Sequence, residues 1–180
     1  MTLPLPGTYQ NLRGHQQLAL KQWVGHCLSG EGKVGLWVYG DHGEGSTYVA
    51  SVGVKRIARE VGIENWDYST ALDLTERIRM SWTAGEVSRH NSGDYDLYVE
   101  SASFEDALAE FWNVKLLWID DLYSEQDMEF FRKHAMFRLL QRVKQGLPTV
   151  ISTNMTPSSP PMSQLTKSIE SWFVTCYAER

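Results

Sequence analysis

The fold of this chain is indicated by residues 34 to 47, which read VGLWVYGDHGEGST. Its first part, Val34 to Tyr39, is a short apolar run rich in strand-forming residues, and a helical pattern begins again at Thr47. A strand, a glycine-rich turn and a helix in direct succession bring several backbone N–H groups to one helix N-terminus, where they attract phosphate. The stretch therefore predicts an α/β domain with an anion-binding loop.

Apolar runs and helical patterns alternate along the rest of the chain. We predict helices over Asn11 to Ser29, Thr47 to Val61, Thr70 to Trp82, Ser103 to Trp112 and Asp127 to Gln145. Strands are predicted over Val34 to Gly40, Asn65 to Tyr68, Val114 to Ile119 and Thr149 to Thr153, and an exposed loop over Thr83 to Tyr95. Continuous apolar strands separated by helices are typical of a mainly parallel sheet covered on both faces, a three-layer α/β architecture.

Length and composition favour one nucleotide-binding domain. The 180 residues are 42% hydrophobic, enough for a single buried core over residues 11 to 180, preceded by an extended lead-in over residues 1 to 10. No apolar run is long enough for a membrane span, and the first residues lack a signal-peptide pattern. Cys27 and Cys176 are far apart, as expected of reduced thiols. We expect a cytoplasmic protein with no membrane partner.

The charge balance restricts nucleic-acid binding to a local patch. The chain has 22 acidic and 17 basic residues, so its surface as a whole does not attract a polyanion. Two helical segments contain the candidate DNA-binding residues Arg77, Arg79, Arg132, Arg138 and Arg142. The second segment also has an apolar stripe, and its arginines equally fit the solvated face of an ordinary amphipathic helix.

The loop after the first strand matches the phosphate-binding pattern G-x-x-x-x-G-K-[ST] except at Ser46, which stands in place of the lysine. The candidate nucleotide-binding residues are Gly40, Asp41, His42, Gly43, Glu44, Gly45, Ser46, Thr47 and Tyr48. Thr47 would offer its hydroxyl to Mg²⁺, whereas Ser46 supplies no positive charge to the phosphates. The two acidic side chains in the loop repel an anion unless they turn outward.

Polar residues follow two later strands of the predicted sheet. In LLWIDD, Asp120 is the candidate Mg²⁺-binding carboxylate and Asp121 the candidate group that orients an attacking water. Asn154 follows the next strand and is a candidate sensor of the terminal phosphate, although such a residue is also common in a simple turn. Because carboxyl ends of parallel strands share one edge, these groups are expected to meet there.

With these three motifs the chain resembles the AAA+ core of DnaC-type helicase loaders and the related IstB-type transposition ATPases, over roughly Leu12 to Pro157. The resemblance implies binding of ATP or ADP with Mg²⁺, contact with single-stranded DNA, and a replicative helicase or other replication protein as partner. It also implies assembly of several copies. On this resemblance the glycines of the loop with Ser46 and Thr47 match the phosphate-binding segment, Asp120 and Asp121 the paired acids, and Asn154 the first sensor.

Several departures from the family pattern concern hydrolysis. The phosphate-binding lysine is absent, and Asp121 is one methylene shorter than the usual glutamate. After Asn154 only Lys167 and Arg180 occupy the region of the family's arginine finger, and no full C-terminal lid domain is expected. We therefore expect weak or absent hydrolysis. Three functions stay open: a reduced helicase loader, an adaptor that works without nucleotide, and an IstB-like transposition helper.

Overall fold

The computed structural model describes residues 8–90, 108–122 and 130–179. Its helices are α1 (Gly14–Ser29), α2 (Ser46–Val61), α3 (Ala71–His90), α4 (Phe137–Lys144) and α5 (Thr166–Trp172). Its strands are β1 (Gly35–Tyr39), β2 (Trp66–Thr70), β3 (Leu116–Leu122), β4 (Thr149–Thr153) and β5 (Phe173–Tyr177). Residues 108–113 are also helical, and a π-helical turn at Arg132–Met136 leads into α4.

The five strands form one sheet in the order β2, β3, β4, β1, β5, and every neighbouring pair is parallel. All strands therefore end at the same edge, where β1 passes into the glycine-rich loop and β3 contains the paired acids. The predicted α/β architecture with a parallel sheet is confirmed. β4 lies between β1 and β3, so the loop and the acids approach each other across the end of an intervening strand.

Alternating side chains of the sheet enter two separate cores. Leu36 and Val38 of β1 belong to the core beneath α1 and α2, whereas Trp37 belongs to the core beneath α3, α4 and α5. Trp118 and Ile119 of β3 divide in the same way. This two-residue period explains why the strands appear in the sequence as continuous apolar runs: both faces of each central strand are buried.

Close contact between β1 and β5 depends on a glycine. A Cβ atom built on Gly40 would lie 2.3 Å from the carbonyl oxygen of Ala178, nearer than any real side chain approaches backbone. The backbones are joined by a hydrogen bond of 2.6 Å from the Ala178 N–H to the Tyr39 carbonyl. A glycine is therefore needed at position 40 so that the backbone after β5 can pack against the end of β1.

Helix α3 is longer than predicted. The polar segment from Thr83 continues as helix to His90, and the remainder of the predicted loop, residues 91–95, lies outside the described residues. The helical spacing of the segment predicts that Leu72, Leu74, Ile78 and Trp82 face inward. Leu74 and Ile78 are buried, but Leu72 is 53% exposed, so the prediction is wrong for Leu72. The Trp82 side chain lies outside the described ones. Within the described ranges, no helix has the length and apolar content that a membrane crossing requires.

Two strand predictions also need correction. β3 does not stop before the acids: Asp120 and Asp121 are part of the strand, which continues to Leu122. The sequence interpretation assigned no element to residues 173–177, although their aromatic and β-branched side chains are typical of a strand. This last strand, β5, completes the edge of the sheet on the far side of β1. Residues 1–7 of the predicted lead-in lie outside the described residues, and Tyr9–Asn11 form a 3-10 turn.

Candidate functional site

The loop after β1 curls because two of its glycines adopt left-handed backbone angles, with φ of 88° at Gly43 and 94° at Gly45. Side chains larger than hydrogen are disfavoured there. The first backbone hydrogen bond of α2 is donated by the Val49 N–H to the Gly45 carbonyl at 3.0 Å. The amides of residues 46 to 48 precede it and lie at the positive end of the helix, which is the arrangement that binds anions.

A cavity of about 880 Å³ lies at this end of α2. Its lining consists of Asn11, Leu12, Arg13, Gln16, His42, Gly43, Glu44, Gly45, Ser46, Thr47, Tyr48, Val49, Asp121 and Glu179. Residues 42 to 48 and Asp121 were nucleotide-site candidates in the sequence, and the structure brings them together. Gly40, Asp41 and Asn154 are not among the lining residues, and Asn154 is exposed in a bend after β4. Its role as a sensor stays a prediction.

Asp120 accepts hydrogen bonds from three hydroxyl groups. Thr47 Oγ1 donates to Asp120 Oδ1 at 3.0 Å, and the Tyr68 hydroxyl donates to Oδ2 at 3.3 Å. The Ser152 hydroxyl also donates to Oδ1. An acceptor of three O–H groups is best served by the ionised carboxylate. The two predicted Mg²⁺ ligands, one on α2 and one on β3, are therefore in direct contact.

Burial is the main influence on the titration of Asp120. The residue is only 2% exposed, and this desolvation raises its pKa above the ordinary value; the charge of Asp121 raises it further. The hydroxyl groups of Ser152 and Thr47 and a backbone hydrogen bond at Asp121 oppose the shift. Oxygen donors around a buried negative charge are ligands suited to Mg²⁺. The residues present therefore fit a divalent cation that has its other ligands from phosphate and water.

Ser152 and Tyr68 were not recognised from the sequence. Ser152 is fully buried on β4 and accepts a hydrogen bond of 2.7 Å from the Trp118 indole N–H, so its own proton is directed to Asp120. Tyr68 lies on β2 with its ring 4.8 Å from that of Trp118. The available signal was weak: each is one polar group inside a predicted strand. Their importance follows from strand order, which places β2 and β4 on either side of β3.

Asp121 has an unusual backbone conformation. Its φ is 57°, and the ladder between β3 and β4 shifts register between Ile119 and Leu122. Aspartate tolerates the left-handed region better than most residues, and a bulge at this point re-aims a side chain. The exposed side chain of Asp121 reaches the cavity lining, whereas its neighbour Asp120 is buried. The two acids are thus separated into one inner and one outer carboxylate.

The cavity lining is poor in positive charge. Ser46, at the position of the missing lysine, is the first residue of α2 and only 6% exposed. Glu44, Asp121 and Glu179 place carboxylates in the lining, and its one arginine, Arg13, forms an ion pair with Glu179 at 3.1 Å. A phosphate chain would therefore bind chiefly through backbone amides.

The prediction that Arg142 contacts DNA is wrong, because this residue is 3% exposed. Its guanidinium donates to the carbonyl oxygens of Trp112 and Val114, the latter at 2.8 Å, and to Thr149 Oγ1 at 3.4 Å. Desolvation lowers its pKa to about 10. The apparent amphipathic position of Arg142 concealed a structural role in joining α4 to the starts of β3 and β4.

The other candidate arginines lie near the surface against aromatic rings. Arg77 stacks over Phe111 at 5.4 Å and Arg138 over Trp112 at 5.6 Å, while the two rings are 5.3 Å apart. Arg79 stacks in the same way over Phe130 at 4.8 Å, and Arg132 donates a hydrogen bond to Gln164. Arg77 and Arg138 therefore each lie over one ring of an edge-to-face aromatic pair, and the four residues are hereafter the arginine ladder (Arg77, Phe111, Trp112, Arg138).

The parallel sheet, the glycine loop and the contact between Thr47 and Asp120 define the fold as that of AAA+ P-loop ATPases. The chain is similar to AMPPCP-bound DnaA from Aquifex aeolicus, with 15% identity and a TM-score of 0.61 over 98% of this chain and 51% of that one. It is also similar to the DnaC helicase loader, with 19% identity and a TM-score of 0.55 over 91% of this chain and 92% of that one.

A third similar structure is DnaA bound to AMPPCP and single-stranded DNA, with 15% identity, a TM-score of 0.60, and coverage of 98% of this chain and 51% of that one. The present chain thus spans about half the length of these DnaA structures. At identities this low, the structural similarity establishes a common fold and nothing further. The sequence matches no protein-family model and no curated protein.

Proposed function

We propose that this protein is a DNA replication accessory protein of the helicase-loader type that binds ATP or ADP with Mg²⁺ and hydrolyses ATP weakly or not at all. The observation that carries the proposal is the hydrogen bond between Thr47 and Asp120 at the mouth of the phosphate loop. This contact joins the two predicted Mg²⁺ ligands, which are 73 positions apart in the sequence.

The departures at the site act on affinity and turnover in different ways. Backbone amides at the start of α2 retain the ability to bind phosphate, and Mg²⁺ when bound would neutralise part of the phosphate charge. Ser46 adds no positive charge, and the side chain of Asp121 is one methylene shorter than that of a glutamate. Binding is therefore weakened, whereas hydrolysis, which needs charge stabilisation and a well-placed water, is nearly lost.

Titration calorimetry with ATP and ADP, with and without Mg²⁺, tests this proposal. We expect binding to wild type that is stronger with Mg²⁺, and loss of the Mg²⁺ effect in Asp120→Asn, because the amide removes the anionic ligand. Glu60→Gln is the matched control, since Glu60 is an exposed acid at the far end of α2. Equal binding with and without Mg²⁺ in wild type would contradict the proposed site.

Turnover is measured on the same samples. We expect phosphate release close to the uncatalysed level, with no further loss in Asp121→Asn. Rapid turnover by wild type that disappears in Asp121→Asn would show an active ATPase and contradict weak hydrolysis.

A replication role is supported by resemblance and by a candidate surface. The DnaC helicase loader and DnaA with single-stranded DNA share the fold, and the sequence motifs resemble those of the loaders. In the arginine ladder each guanidinium lies over a ring, and among the described residues no hydrogen bond occupies its N–H groups, which suits them to phosphate. We therefore assign single-stranded DNA to this surface, and a replicative helicase and further copies of this chain as protein partners.

The DNA assignment predicts that Arg77→Ala with Arg138→Ala lowers the affinity for a fluorescent single-stranded oligonucleotide about tenfold or more, and makes its salt dependence shallower by about 1.4 in log–log slope, as expected for two lost phosphate contacts. Fluorescence polarisation over a range of salt concentrations measures both. Lys21→Ala with Arg59→Ala removes the same charge from helices on the other face of the sheet, where both side chains are exposed. Equal losses of DNA affinity in the two double variants would show that only the net charge matters. The arginine ladder would then not be the binding surface.

A second function is favoured by one specific observation, the acidic lining of the cavity. Glu44, Asp121 and Glu179 disfavour any anionic ligand, and a protein that had lost nucleotide dependence would keep the fold for protein or DNA contacts alone. This adaptor predicts no binding of either nucleotide by wild type. An IstB-like transposition helper would share the whole site and differ only in its partner.

A further inference from the structure

One guanidinium reaches the nucleotide cavity from outside the phosphate loop. Arg13, immediately before α1, is the single arginine or lysine that lines the cavity within the described part of the chain. Its Nη1 lies 3.1 Å from Oε2 of Glu179, which follows β5 and lines the same cavity. Both side chains are about half exposed, at 47% and 50%, so they are free to exchange partners with little disturbance of packing.

Gln16 holds the backbones of both members of this ion pair. Its Oε1 accepts the Arg13 N–H at 3.0 Å, and its Nε2 donates to the Glu179 carbonyl at 3.1 Å. Gln16 is 3% exposed, and His15 adds a hydrogen bond of 3.0 Å to the Tyr177 carbonyl. One buried amide therefore holds the start of α1 next to the end of β5, while the charged ends of Arg13 and Glu179 stay accessible.

We propose that Arg13 supplies from α1 the positive charge that the phosphate loop lacks at residue 46, and that Glu179 is an internal competitor which occupies this guanidinium until a nucleotide displaces it. The proposal rests on the proposed function, because it assigns the cation of the same nucleotide site. In the ligand-free protein the arginine is paired with a carboxylate. On binding it exchanges that carboxylate for an oxygen of the nucleotide, and Glu179 turns to solvent.

The charges of the lining support this exchange. Besides Glu179, the lining contains the carboxylates of Glu44 and Asp121, and Ser46 adds no charge. The backbone amides at the start of α2 attract an anionic ligand, and the guanidinium of Arg13 is the arginine or lysine group in the lining that adds to this attraction. Arginine also has a planar set of donors that matches a phosphate or a carboxylate equally well, which allows Glu179 to imitate the ligand.

The proposal predicts opposite effects for the two members of the pair. Arg13→Gln should weaken Mg²⁺-ATP binding about tenfold, the loss expected for one charge-assisted contact. Glu179→Gln should tighten it about threefold or more, since it removes both the competitor and a repelling charge. The double variant should bind like Arg13→Gln, because without the arginine there is nothing for Glu179 to compete for. Calorimetry on the full chain, in wild type and in the Ser46→Lys background, measures all three.

Arg56 and Glu60 form the matched control, an ion pair of 2.7 Å elsewhere on the surface of α2. Arg56→Gln and Glu60→Gln should leave nucleotide affinity unchanged. If the Arg13 pair only holds the end of β5 in place, Arg13→Gln and Glu179→Gln will weaken binding alike and lower the melting temperature alike, which overturns the proposal. Unchanged affinity in Arg13→Gln, with nucleotide still bound by wild type, also overturns it and leaves the proposed function intact. Absence of binding in wild type and in Ser46→Lys removes the proposed function itself.

Discussion

Ser46→Lys is expected to tighten the binding of Mg²⁺-ATP by about tenfold or more, the effect of one charge-assisted hydrogen bond to phosphate. The backbone of the loop already has the required curvature, with left-handed angles at Gly43 and Gly45. Residue 46 lines the cavity at the first position of α2, so a long side chain has room to extend from it. Calorimetric titration of wild type and variant measures the difference.

Ser46→Gln is the control for this experiment, because glutamine adds length and hydrogen bonding without charge. A gain in Ser46→Lys but not in Ser46→Gln assigns the effect to the ammonium group. If wild type binds no nucleotide and Ser46→Lys does, the site has the right shape but lacks the necessary positive charge. The nucleotide-independent adaptor is then a better description of the function than the nucleotide-binding loader. If neither wild type nor Ser46→Lys binds nucleotide, the cavity is not a phosphate site.

The second large effect is on stability. Arg142→Ala is expected to lower the free energy of unfolding by about 3 kcal/mol, because it leaves buried carbonyl groups without donors and removes a packed side chain. The carbonyls are those of Trp112 and Val114, and Thr149 loses a partner as well. Urea denaturation followed by circular dichroism measures the change.

Arg138→Ala provides the comparison on the same helix. Arg138 is exposed and stacks on one face of Trp112, so its removal should cost about 0.5 to 1 kcal/mol. Arg142→Lys should fall between the two, since an ammonium retains charge but cannot reach several carbonyls with one planar group. Equal destabilisation by Arg142→Ala and Arg138→Ala would contradict the structural role assigned to the buried guanidinium.

Local patterns explain which elements were predictable. β4 was predicted with its observed ends, Thr149 and Thr153, because four of its five residues are β-branched and because Pro148 and Asn154 mark turns on either side of it. The end of α2 was equally clear, since Gly62 adopts a left-handed φ of 65° directly after Val61. In contrast, the predicted end of β3 came too early, because acidic residues usually mark the end of a buried strand. Asp120 is accommodated inside β3 because hydroxyl groups of Tyr68 and Ser152 on the neighbouring strands donate hydrogen bonds to its carboxylate.

The candidate site divides along the same line. Sequence spacing indicated the phosphate loop and the acids Asp120 and Asp121, since the glycines and the change from apolar to acidic residues are local signals. It did not indicate Ser152, Tyr68 or Arg13, because each reaches the site from another element. Arg142 shows the opposite error: its charge suggested a surface ligand, whereas its environment is the interior.

The sequence by itself determined the class of fold, the position of the anion-binding loop and the absence of its lysine, because these depend on residue order within short segments. Only the tertiary structure decided which side chains surround Asp120, that Gly40 allows the end of β5 to pack closely on β1, and that Arg13 lines the cavity paired with Glu179. The physical reason is that strand order and helix packing bring together residues more than 100 positions apart, such as Gln16 and Glu179, and no local pattern encodes that proximity.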